Sequence, residues 1–263
     1  MRDSVEVGGR TRTFTVVGGP PARDLILVFH GSKQTGDKHR EFTGQIFDAL
    51  AADGRTTVAY LDGYRGNWND ARRGSSFPAR TEKVDDVGFV RAVVGKLRPE
   101  RVFAVGYSNG GQMVMRLMHE VPDLLAGAAV IAATMPAPEN FLLPGAEPKP
   151  MPVVLIHGTK DPIVSYQGGE MPWWMRKFFK VAGRMLSVPE TAHYFATSNG
   201  ITEPPTVTAG TTEYRQAGHP PVVLYTLHGA GHTVPGPKRA PAVLGRTNQD
   251  VNAAELVRRA WLE

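Results

Sequence analysis

Residues 25–29 form an unbroken apolar run of strand length, and residues 152–156 form a second. Runs that are apolar on both faces suit central strands of a parallel sheet covered by helices on either side. Further strands are predicted at 56–61, 101–106, 126–133 and 222–227, and the alternation of apolar and polar residues over 12–17 predicts an edge strand. Between the strands, apolar residues recur at helical spacing. Phe42, Ile46, Phe47 and Leu50 predict a helix over 41–52, and further helices are predicted over 84–97, 110–120, 189–198 and 248–262. Asp85 and Asp86 stand at the start of the 84–97 segment, where acids suit the positive end of a helix dipole, and Pro99 follows its end.

This alternation implies an α/β protein with a mostly parallel, doubly wound sheet and helices on both faces. The alternation breaks after Asp161. Residues from about 165 to 217 are read as an insertion over the carboxyl edge of the sheet, within one domain spanning 1–263.

Composition narrows the function classes. Apolar residues make up 41% of the 263 and charged residues 21%, enough apolar surface to offset chain entropy and form a core. The longest apolar runs are strand-sized, so no integral membrane segment is expected. The 29 glycines and 21 prolines favour many tight turns over a helical bundle. A net charge of +5 comes from scattered basic residues rather than a continuous stripe, which argues against nucleic acid as a partner. Cysteine is absent, which excludes disulfides and thiolate metal sites. No His/Asp/Glu cluster has metal-ligand spacing and no phosphate-cradling glycine loop occurs, so neither metal nor cofactor is expected. For the chain as it stands a cytoplasmic location is expected, and a secreted one if a leader was removed. Oligomeric state is left open.

Gly106-Tyr107-Ser108-Asn109-Gly110 matches G-x-S-x-G at the junction of a predicted buried strand and a predicted helix. A nucleophile elbow occupies that junction, because a tight turn between close backbones holds the serine in the open at a helix N-terminus. A serine hydroxyl needs a base to take its proton. Among eight histidines, His232 lies in a glycine-rich loop, Gly229-Ala230-Gly231-His232-Thr233, after the last predicted strand, from which an imidazole can return over the elbow. The base in turn needs a carboxylate to hold its tautomer. Asp161 follows the strand ending at Ile156 and so lies at the carboxyl edge, whereas Asp123 falls at the opposite edge; Glu170, Glu190, Glu203 and Glu213 are weaker candidates. For an oxyanion, the backbone N–H of Asn109 is one expected donor and that of Ser32 the other, with Gly31 as the alternative. Trp68, Tyr107, Trp173 and Trp174 are the expected substrate contacts. Trp68 and Asp70 could instead anchor their loop, and the aromatic stretch from Trp173 to Phe179 could be a lid, an acyl-binding wall or a small satellite core.

Together with His30-Gly31-Ser32, Trp68-Asn69-Asp70-Ala71-Arg72, Val84-Asp85-Asp86-Val87-Gly88-Phe89, His157-Gly158-Thr159-Lys160-Asp161 and Gly231-His232-Thr233-Val234-Pro235-Gly236, the elbow resembles, in order over about residues 10–236, the polyhydroxybutyrate depolymerase and feruloyl esterase family. That resemblance implies an α/β-hydrolase that cleaves carboxylic esters. Short hydroxyalkanoate, hydroxycinnamoyl or acetyl esters, small or polymeric, are the implied substrates, with Ser108 as nucleophile, Asp161 as acid and His232 as base. A peptidase or acyltransferase on the same site is the alternative.

Overall fold

The computed structural model describes residues 1–19, 23–173, 176–177 and 180–263. Ten strands form one sheet: β1 (Arg2–Val7), β2 (Arg10–Val17), β3 (Asp24–Phe29), β4 (Thr56–Leu61), β5 (Arg101–Tyr107), β6 (Gly127–Ile131), β7 (Val153–Gly158), β8 (Thr206–Thr208), β9 (Thr211–Tyr214) and β10 (Val222–Leu227). Their order is β1-β2-β4-β3-β5-β6-β7-β10-β9-β8. The six central strands from β4 to β10 are parallel, and both margins are antiparallel.

Every residue of β3 and β4 is buried. Their side chains alternate between two layers, as the period of a strand requires. Leu25, Leu27 and Phe29 pack into one apolar cluster, with Met113, Val114 and Leu117 from helix α4 (Asn109–Glu120) and Val90 and Val93 from helix α3 (Asp86–Leu97). Ile26 and Val28 face the other cluster, with Phe47, Leu50 and the terminal helix α6 (Ala253–Trp261). Further α-helices among the described residues are α1 (Gly36–Phe42), α2 (Pro78–Thr81) and α5 (Val188–Ser198). Met113, Met115 and Met118 are buried gap-fillers of α4. Among the described residues no helix is long and apolar enough to cross a membrane.

The elements depart from the sequence reading in four places. The strand predicted at 12–17 is not the edge, because β1 pairs outside it through the two-residue turn Gly8-Gly9, both at positive φ (56° and 72°). The helix predicted over 41–52 is split. Gly44 and Gln45 adopt positive φ (70° and 62°), which ends α1 before a short 3-10 segment, Ile46–Ala51, begins. The terminal helix begins only at Ala253, capped by the Asn252 side chain accepting the Ala254 N–H at 2.9 Å. Finally, the 165–217 segment does several things. Ser165, Gly168, Glu170, Met171, Val181 and Met185 line a cleft at the carboxyl edge, but α5 connects β7 to its parallel neighbour β10 and the β8–β9 hairpin widens the sheet. That last part therefore stands beside the sheet, not over the site.

Candidate active site

The elbow is built by close packing of backbone. A Cβ at position 106 would lie 2.3 Å from the Gly110 carbonyl oxygen, and one at position 110 would lie 2.1 Å from that of Phe29. Only glycine fits at either place. Between them Ser108 adopts φ 54° and ψ −117°, a strained conformation for a residue with a side chain, of a kind that costs about 1–3 kcal/mol. Its own N–H is held by the Ile131 carbonyl at 2.9 Å, and α4 begins at the next residue.

The His232 loop is locked to the same rim. The Gly231 and His232 N–H groups donate to the carbonyls of Arg246 (2.8 Å) and Leu244 (2.7 Å), and a Cβ on Gly231 would collide with the latter at 2.1 Å. Tyr107 donates its hydroxyl to the His232 carbonyl at 2.7 Å. The imidazole then lies between the two other predicted partners: Nε2 is 2.9 Å from Ser108 Oγ and Nδ1 is 2.7 Å from Asp161 Oδ2. A carboxylate only accepts, so Nδ1 carries the proton and Nε2 is left to accept from the serine hydroxyl.

Asp161 is held as firmly. Its Oδ1 accepts the N–H groups of Ile163 and Val164, both at 2.8 Å. Burial works against its ionisation, but His232, His157 and the Val164 N–H outweigh it, and the net effect is a carboxyl pKa below the ordinary 3.8. His157 flanks the same carboxylate, its Nε2 3.4 Å from Oδ2, and donates that N–H to the Val164 carbonyl at 2.9 Å. Burial lowers the pKa of His157, so it stands there as a neutral ring.

Facing Ser108 is the turn after β3. The Gly31 N–H is taken by Gln34 Oε1 at 3.2 Å, while Ser32 lines the cleft beside Ser108 and Asn109. Of the two alternatives in this turn, Ser32 has the N–H that is left to point at a ligand. The Asn109 N–H belongs to the first turn of α4, whose leading amides have no helical partner. The side chain of Asn109 is fixed at both ends: Oδ1 accepts the Trp68 N–H at 2.9 Å and Nδ2 donates to Asp70 Oδ2 at 2.6 Å.

The expected aromatic contacts turn out differently. Trp68 is fully buried, donates its indole N–H to the His30 carbonyl at 2.9 Å and meets Phe29 edge-on, so it anchors its loop and cannot touch substrate. Asp70, also fully buried, pairs with Arg72 (2.6 Å) and steadies Asn109. Tyr107 lies beneath the His232 loop, stacked on His39 (centroids 5.5 Å apart), and is absent from the cleft wall; it positions the base rather than the substrate. Trp173 is 72% exposed and does not line the cleft. Trp174 lies outside the described residues. A buried aromatic with a polar tip must satisfy that tip internally, which turns Trp68 and Tyr107 into scaffold. The cleft has a volume of about 220 Å³, and its apolar wall includes Phe77, Ala133, Ile163, Met171 and Met185. Sequence reading passed over two polar residues in the same wall, Gln112 and Arg72. The helical spacing of Ser108 and Gln112, one turn apart on α4, is the signal that would have found the first.

A family profile described as Phospholipase/Carboxylesterase matches residues 75–208. NocK of Nocardia uniformis subsp. tsuyamanensis, named as an esterase, is 32% identical over 280 residues, covering 95% of this chain and 79% of NocK. The chain belongs to the phospholipase/carboxylesterase family. Feruloyl esterase B of Piromyces equi is 30% identical over 227 residues; that match covers 81% of this chain but only 40% of the fungal protein. The fold is shared with the acetyl xylan esterase of Aspergillus awamori, at a TM-score of 0.56 and 15% identity over 90% of this chain and 95% of that one. Membership in the phospholipase/carboxylesterase family makes the chain a serine ester hydrolase on an α/β-hydrolase sheet.

Buried neutral histidines around this carboxylesterase site have a consequence for pH. Burial pulls the pKa of His30 from 6.5 to about 4 and that of His39 from 6.5 to about 3. Below 6.5 the unfolded chain takes up these protons and the folded chain does not, so stability falls as pH drops until the folded-state values are reached. Between pH 6.5 and 5 the loss is about 2 kcal/mol per histidine. A lower urea midpoint at pH 5 than at pH 7 is expected, with the difference reduced but not abolished in a His39→Phe protein, because burial lowers His119 and His157 as well; an unchanged midpoint contradicts it.

Proposed function

We propose that Ser108, His232 and Asp161 act as the catalytic triad of this carboxylesterase, with the N–H groups of Asn109 and Ser32 as its oxyanion donors. The carrying observation is the continuous relay from hydroxyl to imidazole to carboxylate, at 2.9 Å and 2.7 Å, beside the cleft. Ser108 Oγ attacks the ester carbonyl while His232 Nε2 takes the hydroxyl proton. Asp161 supports the imidazolium that forms. The carbonyl oxygen becomes an oxyanion held by the two amides, each worth about 3 kcal/mol of barrier. Collapse expels the alcohol, which leaves with the proton from His232, and an acyl-Ser108 remains. Water, deprotonated by His232, then releases the acid and restores the serine.

The substrates we infer are short hydroxyalkanoate, hydroxycinnamoyl or acetyl esters. A cleft of about 220 Å³ is smaller than the roughly 300–1,000 Å³ of sites for drug-sized ligands, which suits a short acyl group with the alcohol portion lying outside. The name of the Piromyces relative supports the feruloyl option. Incubation with a fluorophosphonate probe and peptide mapping tests the proposal. A single adduct on Ser108, together with hydrolysis of short p-nitrophenyl esters but not of matching p-nitroanilides, is the expected result. An adduct elsewhere, or none, sinks it.

A further inference from the structure

Of the buried side-chain atoms that lack a hydrogen-bond partner among the described residues, only one belongs to a residue of the cleft wall: Oε1 of Gln112. Gln112 is 3% exposed, and its Nε2 must face the Thr134 carbonyl, to which it donates at 2.6 Å. A carbonyl cannot donate, so the amide cannot be turned over, and Oε1 is fixed as a bare acceptor. Such an atom costs about 1–3 kcal/mol if nothing ever pairs with it. In the same wall Arg72 commits Nε and Nη2 to Asp70, at 3.2 and 2.6 Å, and no described residue takes Nη1. These two side chains thus offer one acceptor and one donor.

We propose that Gln112 and Arg72 are specificity-determining residues that read a neutral substrate group able both to donate and to accept a hydrogen bond. Charge decides against an anion. The guanidinium of Arg72 is already matched by Asp70, Glu170 is matched by Arg176, and the buried Asp161 carboxylate also lines the cleft, so its wall holds no unmatched cation for an anion. A carboxylate would in addition face Gln112 Oε1 with nothing to donate. A plain alkyl chain would leave both groups unpaired. Position places the group near the reacting carbonyl: Arg72, bridged to Phe141 in the segment that follows β6, lines the cleft together with Gln112 and Ser108. Gln112 lies one turn, about 5.4 Å, along α4 from the nucleophile. The group therefore sits within a few carbons of the carbonyl, as a hydroxyl or a carboxamide.

This inference rests on Ser108 being the nucleophile, and the test separates the two. Hydrolysis of ethyl butanoate, ethyl 3-hydroxybutanoate, ethyl succinamate and ethyl hydrogen succinate is followed in a pH-stat with the intact protein. One or both neutral polar esters are expected to exceed the butanoate and the succinate in kcat/KM by about tenfold to a hundredfold. The one that leads tells hydroxyl from carboxamide. In Gln112→Leu the advantage is expected to vanish, read as the ratio of kcat/KM for the polar ester to that for butanoate in the same protein. Equal or better hydrolysis of butanoate by the unaltered protein overturns the inference alone, even if the variant does not fold. So does a Gln112→Leu protein that keeps the preference. No turnover of any ester overturns the proposed function and this reading together.

Discussion

Ester turnover by a Ser108→Ala protein is expected to fall by about 10⁴- to 10⁶-fold, the range over which triads lose activity when the nucleophile is removed. Folding should survive, because the turn is held by backbone contacts at Gly106, Gly110 and the Ser108 N–H rather than by the hydroxyl. The same position offers a second, opposite-signed outcome. At φ 54° any residue with a Cβ is strained, and glycine is not. Ser108→Gly should therefore be inactive yet more stable by about 1 kcal/mol, seen as a higher urea midpoint. A destabilised glycine variant would mean that the elbow stores no strain. An alanine variant with near-normal turnover would remove Ser108 from the chemistry.

Asp161→Asn carries the next largest effect, a loss of about 10⁴-fold in kcat near neutral pH. The substitution is close to isosteric, and the carboxamide oxygen can still accept from the N–H groups of Ile163 and Val164. Its NH₂ group would then face His232 Nδ1, where Asp161 Oδ2 now stands at 2.7 Å. A donor there forces the proton to Nε2, and an Nε2–H cannot take the proton of Ser108. Because the pKa of Asp161 is depressed, the native carboxylate stays ionised down to acid pH. Thermal stability and turnover measured together distinguish the cases. Lost turnover with little change in melting supports the role in tautomer selection; retained turnover contradicts it.

Those two residues and His232 were legible because each combined a residue type with a place in the topology. G-x-S-x-G alone is short, but at the end of a buried strand and the start of a helix it describes a turn that only two glycines permit. Asp161 and His232 follow β7 and β10, neighbours in the sheet, so the order of strands already brings them to one rim. The aromatic residues carried no such second clue. Tyr107 adjoins Ser108 in sequence and Trp68 reaches Asn109 in space, yet partners far along the chain, the carbonyls of His232 and His30, capture their polar tips. Contacts across 38 and 125 residues are invisible to local pattern. The split of the 41–52 helix is a milder case. Its apolar spacing is real, and Phe42, Ile46, Phe47 and Leu50 all pack against the same cluster, but a left-handed pair at Gly44 and Gln45 delivers them by two short pieces. The strands β8 and β9 are three and four residues long and threonine-rich, too short and too polar for periodicity to register.

The outermost strand, β8, has all three of its residues exposed, including Val207. Open sheet margins are templates on which other chains can polymerise, and brevity is one of the ways proteins blunt them. At three residues, β8 has little ladder to extend, and at the far margin β1 places Arg2, Asp3 and Glu6 among its six residues. The ten-stranded sheet is in this way guarded against seeding fibrils, at one end by shortness and at the other by charge.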